Sequence, residues 1–382
     1  MRPFRVLHLN SARKFVGEAA HVLELCRALE KRGHHPGLAV RSGYILEEKA
    51  GRAGLDVLPL RFESRFRPFA DMADARAIAR YCSENSVEVL HAHRGKDHWA
   101  AAAARVLGRL DIPLVRTRHV ITIQKAHFAN RWLMRRTRAL VCVSAAVEHC
   151  VGSSHVYDTE KVRTIPVGVD LERFHPGTDG VAVRRRLDIE PGVPIAVVVA
   201  RFHSRKGHVH IVEAAERVVA DVPSVRILFV GEGSTREEVA GLVREKGLEK
   251  WVRFLGWRDD VPEILHASDI GILASTGSEG SSRAVMEYMA SGLPVIATRV
   301  GAVPELVADG ETGILVEVED PVALAEAMGE LLADPARARA MGARGRGAVE
   351  ERFGLSEWVD RMEEFYGEIL DGSAGQRPGG GG

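Results

Sequence analysis

Short apolar strands alternate with helical segments along almost the whole chain, and this alternation limits the folds that the sequence can adopt. In the first half, runs rich in branched residues alternate with segments whose apolar residues recur at helical spacing, as over 18–32. In the second half the alternation continues from a strand at 194–200 to a helix at 321–333. Strands separated by helices of about 10–15 residues are typical of parallel sheets covered on both faces. The predicted fold class is therefore α/β.

The individual elements follow from the same periodicity. Gly33 ends the first helix in the position that a left-handed cap requires, and Ser144 is a good N-cap for the residues after it. The predicted strands are 4–9, 57–60, 87–91, 114–117, 139–143, 194–200, 225–230, 252–255, 270–273, 294–297 and 314–316. The predicted helices of the second half are 207–220, 235–246, 261–267, 282–291, 303–308 and 321–333, followed by a last helix at 355–371.

Two blocks of this kind, joined by a segment rich in Gly and Pro near 166–180, indicate two Rossmann-like domains in the 382 residues. The predicted limits are 1–172 for the first domain and 173–354 for the second. The last helix forms a segment of its own, and the Gly-rich tail 372–382 is predicted to be disordered.

Charge is distributed unevenly between the two halves, although 52 basic and 52 acidic residues balance overall. Residues 1–175 hold 29 basic and 18 acidic side chains, a net of +11, and the remainder has a net of −11. The basic half carries no nucleic-acid-binding motif, so no nucleic-acid partner is predicted. An anionic lipid surface or a phosphorylated acceptor fits the charge better.

The sequence also indicates the cellular compartment of the protein. No apolar stretch approaches the roughly 20 residues that span a bilayer, and the N-terminal residues contain no signal-peptide core. The four cysteines show no C-x-x-C spacing. We therefore predict a reduced cytoplasmic protein, with peripheral attachment to the inner face of the membrane as an alternative.

Segment 275–316 carries the most specific chemical pattern. Glu279 follows the strand at 270–273, and Glu287 lies about a turn and a half into the next helix. The residues predicted to open this helix present backbone N–H groups that can bind phosphate. They are Ser281, Ser282, Arg283 and Ala284. The two carboxylates can accept hydrogen bonds from sugar and ribose hydroxyls, although an ordinary helix with an acidic first turn would show a similar spacing.

The stretch RFHSRKG at 201–207 follows the apolar strand at 194–200 directly. Ligands of open α/β sheets bind at the carboxyl ends of the strands. Arg201 and Lys206 are therefore predicted to face a bound ligand. Two fixed cations at this place would neutralise a pyrophosphate. A solvated basic turn is the alternative.

The motifs in the second half resemble those of family-4 retaining glycosyltransferases of the GT-B fold. EGSSRAVME at 279–287, with SGLPVIAT and PELVADGETG after it, carries the resemblance, together with VAR at 199–201 and VGEG at 230–233. The resemblance is strong over about 165–320 and weaker through the first half. It implies two facing Rossmann-like domains with a cleft between them, and a last helix that returns to the N-terminal domain.

The resemblance implies that the second domain holds a nucleotide-diphosphosugar. Arg201 and Lys206 would neutralise the diphosphate, Glu287 would bind the ribose, and Glu279 with Gly280 would contact the donor sugar. The base would lie near Gly256 and Trp257. No metal or other cofactor is expected, because the diphosphate already has two cations.

The first half carries two further predicted site residues. The family's first loop usually has two adjacent glycines, whereas Gly17 is here followed by Glu18, which leaves the contact with the diphosphate in question. His119 lies where the family often places an active-site histidine near the donor sugar. Packing at a strand end is the alternative for His119, and Arg116 and Arg118 beside it could serve an anionic acceptor.

Two other segments suggest functions that compete with simpler explanations. The histidines of HAHRGKDH, with Asp97, suggest a metal site, but no third ligand follows at a recognised spacing. Positioning of the acceptor is favoured for His91, His93, Asp97 and His98. Segment 124–138 mixes Phe128, Trp132, Leu133 and Met134 with five basic residues, which predicts either a membrane-surface helix or an amphipathic helix facing the core.

The function predicted is a retaining hexosyltransferase that moves a sugar from a UDP- or GDP-sugar to a hydroxyl acceptor. That acceptor would be a small molecule, a lipid-linked glycan or a cell-envelope glycan. The predicted catalytic residues are His119, Arg201, Lys206 and Glu279. The predicted nucleotide-sugar-binding residues are Gly17, Arg201, Lys206, Gly256, Trp257, Glu279, Gly280, Ser281, Ser282, Arg283 and Glu287. The alternatives are a nucleotide-sugar 2-epimerase or a phosphorylase of the same fold, a nicotinamide dehydrogenase, and a sugar-binding protein without activity.

Overall fold

The structure is a computed structural model that describes residues 1–15, 17–154, 156–177 and 180–372. The chain divides into two compact units. The first joins Met1–Val167 to the segment that begins at Ser356, and the second is Gly168–Leu355. These borders differ from the predicted limits of the domains by one to five residues. Apart from residue 372, the tail predicted to be disordered lies outside the described residues.

The first unit is built on a seven-stranded sheet in which every pair of neighbours is parallel. Its strands are β1 (Arg5–Asn10), β2 (His35–Arg41), β3 (Asp56–Leu60), β4 (Val89–Ala92), β5 (Leu114–Arg118), β6 (Ala139–Cys142) and β7 (Val162–Thr164). They lie in the order β3-β2-β1-β4-β5-β6-β7. Sequence periodicity missed β2, because it begins with His-Pro-Gly, and β7, because it has only three residues.

Helices connect these strands. They are α1 (Gly17–Lys31), α2 (Ile45–Arg52), α3 (Pro68–Glu84), α4 (Gly95–Gly108), α5 (Phe128–Arg135) and α6 (Ala145–Gly152). The predicted caps are confirmed. Gly33 has φ +86°, and the Ser144 side chain accepts a hydrogen bond of 3.2 Å from the backbone N–H of Val147.

The second unit repeats the design with a six-stranded parallel sheet. Its strands are β8 (Ile195–Val199), β9 (Arg226–Val230), β10 (Val252–Gly256), β11 (Ile270–Leu273), β12 (Val295–Thr298) and β13 (Gly313–Val316), in the order β10-β9-β8-β11-β12-β13. Its helices are α7 (Val181–Arg186), α8 (His208–Asp221), α9 (Arg236–Glu245), α10 (Val261–His266), α11 (Arg283–Ala290), α12 (Val303–Leu306), α13 (Pro321–Ala333) and α14 (Pro335–Arg352). Two parallel sheets with connecting helices confirm the predicted α/β class.

Sequence periodicity also missed α14, whose composition hides the helix. Its 18 residues include three glycines among charged side chains, so no apolar stripe marks a helix. The structure explains two of the glycines. Gly342 and Gly345 are buried, and a Cβ on Gly342 would lie 2.0 Å from the backbone oxygen of Gly292. The Asp334 side chain caps the helix by accepting from the backbone N–H of Arg337 at 3.0 Å.

The last helix, α15 (Leu355–Leu370), packs within the first unit. Its buried face includes Trp358 and Tyr366. The Tyr366 hydroxyl lies 2.6 Å from Nδ1 of His91 on β4, and Glu363 accepts a hydrogen bond of 2.7 Å from Arg32. This helix therefore supplies polar as well as apolar contacts to the first sheet.

Tyr288 connects the helix α11 to the sheet of the second unit. Its hydroxyl accepts a hydrogen bond of 2.6 Å from the backbone N–H of Val199 and lies 3.3 Å from the carbonyl oxygen of Ile272. We expect Tyr288→Phe to lower the free energy of unfolding by about 1–3 kcal/mol, because a backbone N–H at the end of β8 loses its buried acceptor. Urea unfolding measures this loss. An unchanged stability would contradict the assignment of that hydrogen bond.

Candidate active site

The two motifs predicted to bind the donor meet in the second unit through an ion pair between Lys206 and Glu279. Lys206 ends a 3-10 turn (Ser204–Lys206) after β8, and Glu279 lies in the loop after β11. Because β8 and β11 are neighbours in the sheet, the loops after their carboxyl ends lie side by side. Glu279 is 7% exposed and also accepts a hydrogen bond of 2.5 Å from the Ser275 hydroxyl. The lysine and the carboxylate are thus held against each other.

Two glycines allow these loops to approach each other closely. Gly207 has φ +63°, and a Cβ there would lie 1.8 Å from the carbonyl oxygen of Ala274. Gly301 has φ +57°, and a Cβ there would lie 2.2 Å from the carbonyl oxygen of Glu279. The next residue, Ala302, donates its backbone N–H to that oxygen at 2.8 Å. The position of Glu279 therefore depends on glycine at these two points.

The N-terminus of α11 has the backbone geometry of an anion-binding site. Ser282 precedes the helix in the left-handed conformation, with φ +46°, and its buried hydroxyl has no hydrogen-bond partner among the described residues. The backbone N–H groups of Ser281, Ser282 and Ala284 likewise donate to no residue that the structure describes. Aligned N–H groups of this kind attract phosphate and carboxylate oxygens.

Glu287 forms an ion pair with Arg283 one turn earlier in α11, with Nε and Oε1 2.9 Å apart. Both side chains are largely withdrawn from solvent. The pair fixes the orientation of the carboxylate that was predicted to bind ribose. The alternative explanation was an ordinary helix with an acidic first turn, but the first turn of α11 contains no acidic residue.

The remaining predicted donor residues are Arg201, Gly256, Trp257 and Gly280. Arg201 is exposed and makes no ion pair with any residue in the described ranges. Gly256 ends β10 with φ +67°, Trp257 after it is about half exposed, and Gly280 is buried directly after Glu279. Their roles in donor binding stay predictions.

In the first unit, His119 ends a chain of hydrogen-bonded imidazoles. Its Nε2 lies 3.2 Å from Nδ1 of His93, whose Nε2 lies 3.0 Å from Nδ1 of His8. Burial lowers the pKa of His119 to about 3, with the charge of Arg116 as the next cause, and burial alone lowers the pKa of His8 to about 3. His119 is therefore a neutral group that donates from one nitrogen and accepts at the other.

Gly17 and Glu18 open α1. The backbone at Gly17 has no positive φ, and a Cβ there would meet no atom within 4 Å. The backbone conformation at Gly17 therefore does not require glycine, and the contact of Gly17 with a diphosphate stays a prediction. Glu18 accepts a hydrogen bond of 3.2 Å from the Asn10 side chain, and its carboxylate lies 3.6 Å from the Arg94 guanidinium group.

Histidines of the first unit form two groups in which the ring nitrogens lie within 4.8 Å of one another, close enough to hold a metal ion. The groups are His8, His91 and His93, and His21, His93 and His119. Both ring nitrogens of His91 are already hydrogen-bonded, to Tyr366 at 2.6 Å and to Thr117 at 2.7 Å. Both nitrogens of His93 contact other imidazoles. A metal ion at either group would have to replace such contacts, so the residues fit a hydrogen-bonded network better than a metal centre.

Five histidines with lowered pKa values make the stability sensitive to acid: His8, His91, His93 and His98, which are buried, and His119, which is partly exposed. Because their pKa values are lower in the folded chain, the unfolded chain binds more protons below about pH 6.5. We expect the free energy of unfolding to fall between about pH 7 and about pH 5, by up to ~1.4 kcal/mol per pH unit for each histidine.

Two carboxyls oppose this effect, because burial raises the pKa of Glu18 to about 7 and that of Asp97 to about 6. Each gains stability as the pH falls, so the net loss is smaller than the sum over the histidines. Urea unfolding at several pH values measures the balance. A free energy of unfolding that stayed constant or rose toward pH 5 would show that the histidines are not buried as neutral groups.

Sequence reasoning did not single out His8, His21 or Ser275, all of which lie among the predicted site residues. His8 on β1 and His91 on β4 are partners in the parallel register, which no pattern within one segment reveals. The only available signal was the concentration of 12 of the 16 histidines in residues 1–175.

Comparison with known proteins identifies the class to which this geometry belongs. Residues 193–334 match the family described as glycosyl transferases group 1, and residues 17–173 match glycosyltransferase family 4. N-acetyl-alpha-D-glucosaminyl L-malate synthase of Bacillus anthracis is 30% identical over 310 residues, covering 79% of this chain and 80% of that protein. The chain is a glycosyltransferase of the hexosyltransferase type, with two Rossmann-like domains of the GT-B class. It belongs to glycosyltransferase family 4, as the sequence motifs predicted.

Two further relatives extend the comparison. UDP-Gal:alpha-D-GlcNAc-diphosphoundecaprenol alpha-1,3-galactosyltransferase of Escherichia coli is 26% identical over 316 residues, covering 78% of this chain and 80% of that protein. The crystal structure of Anabaena Alr3699/HepE in complex with UDP and glucose has a TM-score of 0.85 at 19% identity, covering 96% of this chain and 100% of that chain. The structural likeness shows a shared fold.

Proposed function

We propose that this glycosyltransferase moves a sugar from a UDP- or GDP-sugar to a hydroxyl acceptor with retention of the anomeric configuration. The observation that carries the proposal is the ion pair between Lys206 and Glu279. It brings the basic turn after β8 to the loop that leads into α11, where the backbone N–H groups of Ser281, Ser282 and Ala284 donate to none of the described residues. One cation and several amide dipoles at one place suit a diphosphate leaving group.

The proposed mechanism is a front-face displacement. The bond between the anomeric carbon and the diphosphate oxygen breaks, and the acceptor oxygen bonds to the anomeric carbon on the same face. The acceptor's proton passes to the departing phosphate oxygen. Arg201, Lys206 and the N–H groups at 282–284 stabilise the charge that develops on the diphosphate, so catalysis is electrostatic and positional rather than nucleophilic.

The other site residues are proposed to orient the donor. Glu279 accepts from a hydroxyl of the sugar, Glu287 accepts from the ribose, and the base lies near Gly256 and Trp257. His119, a neutral imidazole, donates to a sugar hydroxyl. Gly17, the first residue of α1, contributes a backbone contact with the diphosphate. A relative of the same fold was crystallised with UDP and glucose, which supports a nucleoside diphosphate as the leaving group.

A transfer assay with radiolabelled nucleotide sugars tests the proposal. Thermal-shift screening of UDP- and GDP-sugars first selects the donor. Proton NMR of the product then reads the anomeric configuration, which we expect to match that of the donor. Inversion would refute the proposed mechanism. Isomerised nucleotide sugar formed without acceptor would show a 2-epimerase instead.

We also propose an acceptor that is lipid-linked or part of a cell-envelope glycan, reached from a membrane surface. One relative's name specifies a diphosphoundecaprenol acceptor. In segment 124–138, only Phe128–Arg135 is helical, and Leu133 and Met134 are buried in the core. Phe128, however, is 84% exposed.

Further exposed apolar side chains accompany Phe128 in the first unit. Phe66 and Phe69 near the start of α3 are 80% and 94% exposed, and Arg131 on α5 is exposed as well. Exposed aromatic and basic residues together favour binding to anionic lipid. No helix of the described residues is both long and apolar enough to cross a bilayer.

Liposome flotation with and without anionic lipid tests the membrane proposal. We expect the protein to float with vesicles that contain phosphatidylglycerol, and the double variant Phe69→Ser/Phe128→Ser to stay in the soluble fraction. Equal recovery of the wild-type protein in the soluble fraction under both conditions would remove membrane binding from the account.

A further inference from the structure

Two arginines lie side by side in the interior of the first unit. Arg116 and Arg118 are on β5, and since side chains alternate along a strand they share one face of the sheet. Each is only 6% exposed. They precede His119, at the carboxyl edge where α/β sheets bind their ligands. Two adjacent guanidinium groups withdrawn from water call for counter-charge.

The protein partners of these arginines are neutral. Nη1 of Arg116 lies 3.1 Å from Nδ1 of His98, whose Nε2 lies 2.7 Å from the Thr137 hydroxyl. That hydroxyl donates to the carbonyl oxygen of Leu133 at 2.9 Å, so it accepts from Nε2–H of His98 and leaves Nδ1 to accept from Arg116. Burial, with the nearby arginine charges, holds the pKa of His98 well below its usual value. His98 therefore contributes no charge of either sign.

Arg118 is also paired only with uncharged groups. Its Nη2 donates to the carbonyl oxygen of Thr122 at 2.6 Å and to the Thr122 hydroxyl at 3.0 Å. No carboxylate oxygen among the described residues lies within 4.0 Å of a guanidinium nitrogen of Arg116 or Arg118. Both Nε atoms are buried without a hydrogen-bond partner in the same residues.

The nearest acidic groups are engaged elsewhere. Asp97 accepts from the backbone N–H groups of Ser11 at 3.0 Å and Arg94 at 2.9 Å, and Glu18 lies beside Arg94. Both carboxylates affect Arg116 only through long-range electrostatic attraction. Burial, together with the charge of Arg118, lowers the pKa of Arg116 to about 10, so the guanidinium is still charged at neutral pH. The positive charge of the pair is thus incompletely compensated by the protein.

We propose that Arg116 and Arg118 bind an oxyanion of the acceptor, a phosphate or a carboxylate, next to His119. The guanidinium fork matches the geometry of both groups. This inference rests on the proposed function and makes it more specific, because it assigns the acceptor to the anionic class. The oxyanion belongs either to a soluble phosphorylated or carboxylated molecule or to the phosphate of a lipid head group.

Direct binding measurements test the site without any transfer reaction. Calorimetry with inorganic phosphate and with malate, in the presence of UDP, measures the affinity of the wild-type protein and of Arg116→Gln and Arg118→Gln. We expect each variant to bind the preferred anion about tenfold or more weakly, as the loss of one charged hydrogen bond implies. UDP affinity is expected to stay unchanged in both variants.

Arg105→Gln is the matched control. Arg105 also has a buried Nε without a partner, but it lies in the last turn of α4, at the opposite end of the helix from the loop that follows β4. The anion affinity of Arg105→Gln is expected to equal that of the wild-type protein. Arg116→Lys controls for misfolding, because it keeps the positive charge but lacks the forked guanidinium group. This variant is expected to bind the anion more weakly than the wild-type protein but more tightly than Arg116→Gln.

Vesicles of phosphatidylcholine with and without phosphatidic acid distinguish the two sources of the oxyanion. Binding of free phosphate or malate that depends on Arg116 supports a soluble acceptor. Binding only to vesicles with phosphatidic acid, lost in Arg116→Gln, supports a lipid head group. Equal anion and vesicle binding by wild type and both Gln variants overturns the proposal. If UDP did not bind at all, the proposed function would be contradicted. The arginine site would still be tested, because its result depends on the anion affinities.

Discussion

Lys206→Ala is expected to lower kcat/KM by about 10²- to 10³-fold, the usual cost of removing one preorganised group that stabilises developing negative charge. Lys206 is paired with Glu279, in the loop that leads into α11. The substitution therefore removes one of the two positive charges that are proposed to neutralise the diphosphate. Steady-state kinetics with the donor selected by thermal shift measure the loss.

Glu279→Gln complements this variant, because it keeps the shape of the side chain and removes the charge that Lys206 neutralises. We expect a loss of turnover of similar order, since a neutral amide accepts from a sugar hydroxyl less strongly than a carboxylate does. Thermal unfolding of both variants separates lost activity from lost structure.

Lys246→Ala is the matched control for the removal of a lysine from an ion pair. Lys246 pairs with Glu216 at 2.5 Å in the same unit, away from the predicted donor residues. We expect it to change kcat/KM by no more than about twofold, because an exposed pair contributes little. Near-normal activity of both Lys206→Ala and Glu279→Gln would refute the assignment of the donor site.

Gly207→Ala is expected to destabilise the second unit by on the order of 3 kcal/mol or more. Two separate costs add at this position. The left-handed backbone, with φ +63°, disfavours any residue with a Cβ, and that Cβ would lie 1.8 Å from the carbonyl oxygen of Ala274. A backbone oxygen cannot turn aside as a flexible side chain can, so β8, β11 or the turn before α8 must move. Urea unfolding, read by tryptophan fluorescence, measures the change.

Gly247→Ala separates the two costs. Gly247 has φ +64°, almost the same backbone conformation, but a Cβ there would meet no atom within 4 Å. We expect it to cost only about 1 kcal/mol, from the backbone conformation alone. If Gly207→Ala and Gly247→Ala were equally destabilising, the close approach of the turn to Ala274 would not exist in solution.

The alternation of elements was predictable from the sequence because each signal is local. The helix α13 begins and ends at the predicted residues, 321 and 333, since Asp320 and Pro321 mark its start. The elements that sequence reasoning missed are those whose stability comes from other segments. The strand β2 begins with His-Pro-Gly and is held between β1 and β3, and α14 depends on glycines that contact a neighbouring turn.

The candidate site was predictable only in part, for the same reason. Arg201, Lys206, Glu279 and Glu287 stand out because each follows a strand, and parallel strands bring their carboxyl ends to one edge. The pairing of Lys206 with Glu279 depends on β8 and β11 being neighbours, which the chain order does not reveal. The contact between His8 and His93 depends likewise on the register of β1 with β4.

A crystal of the protein soaked with UDP or GDP tests the central claim most directly. We expect the diphosphate to lie against Arg201 and Lys206, with its oxygens accepting hydrogen bonds from the backbone N–H groups at 281–284. We also expect Glu287 to contact the ribose. A nucleotide bound elsewhere, with the loops after β8 and β11 unchanged, would contradict the proposed donor site.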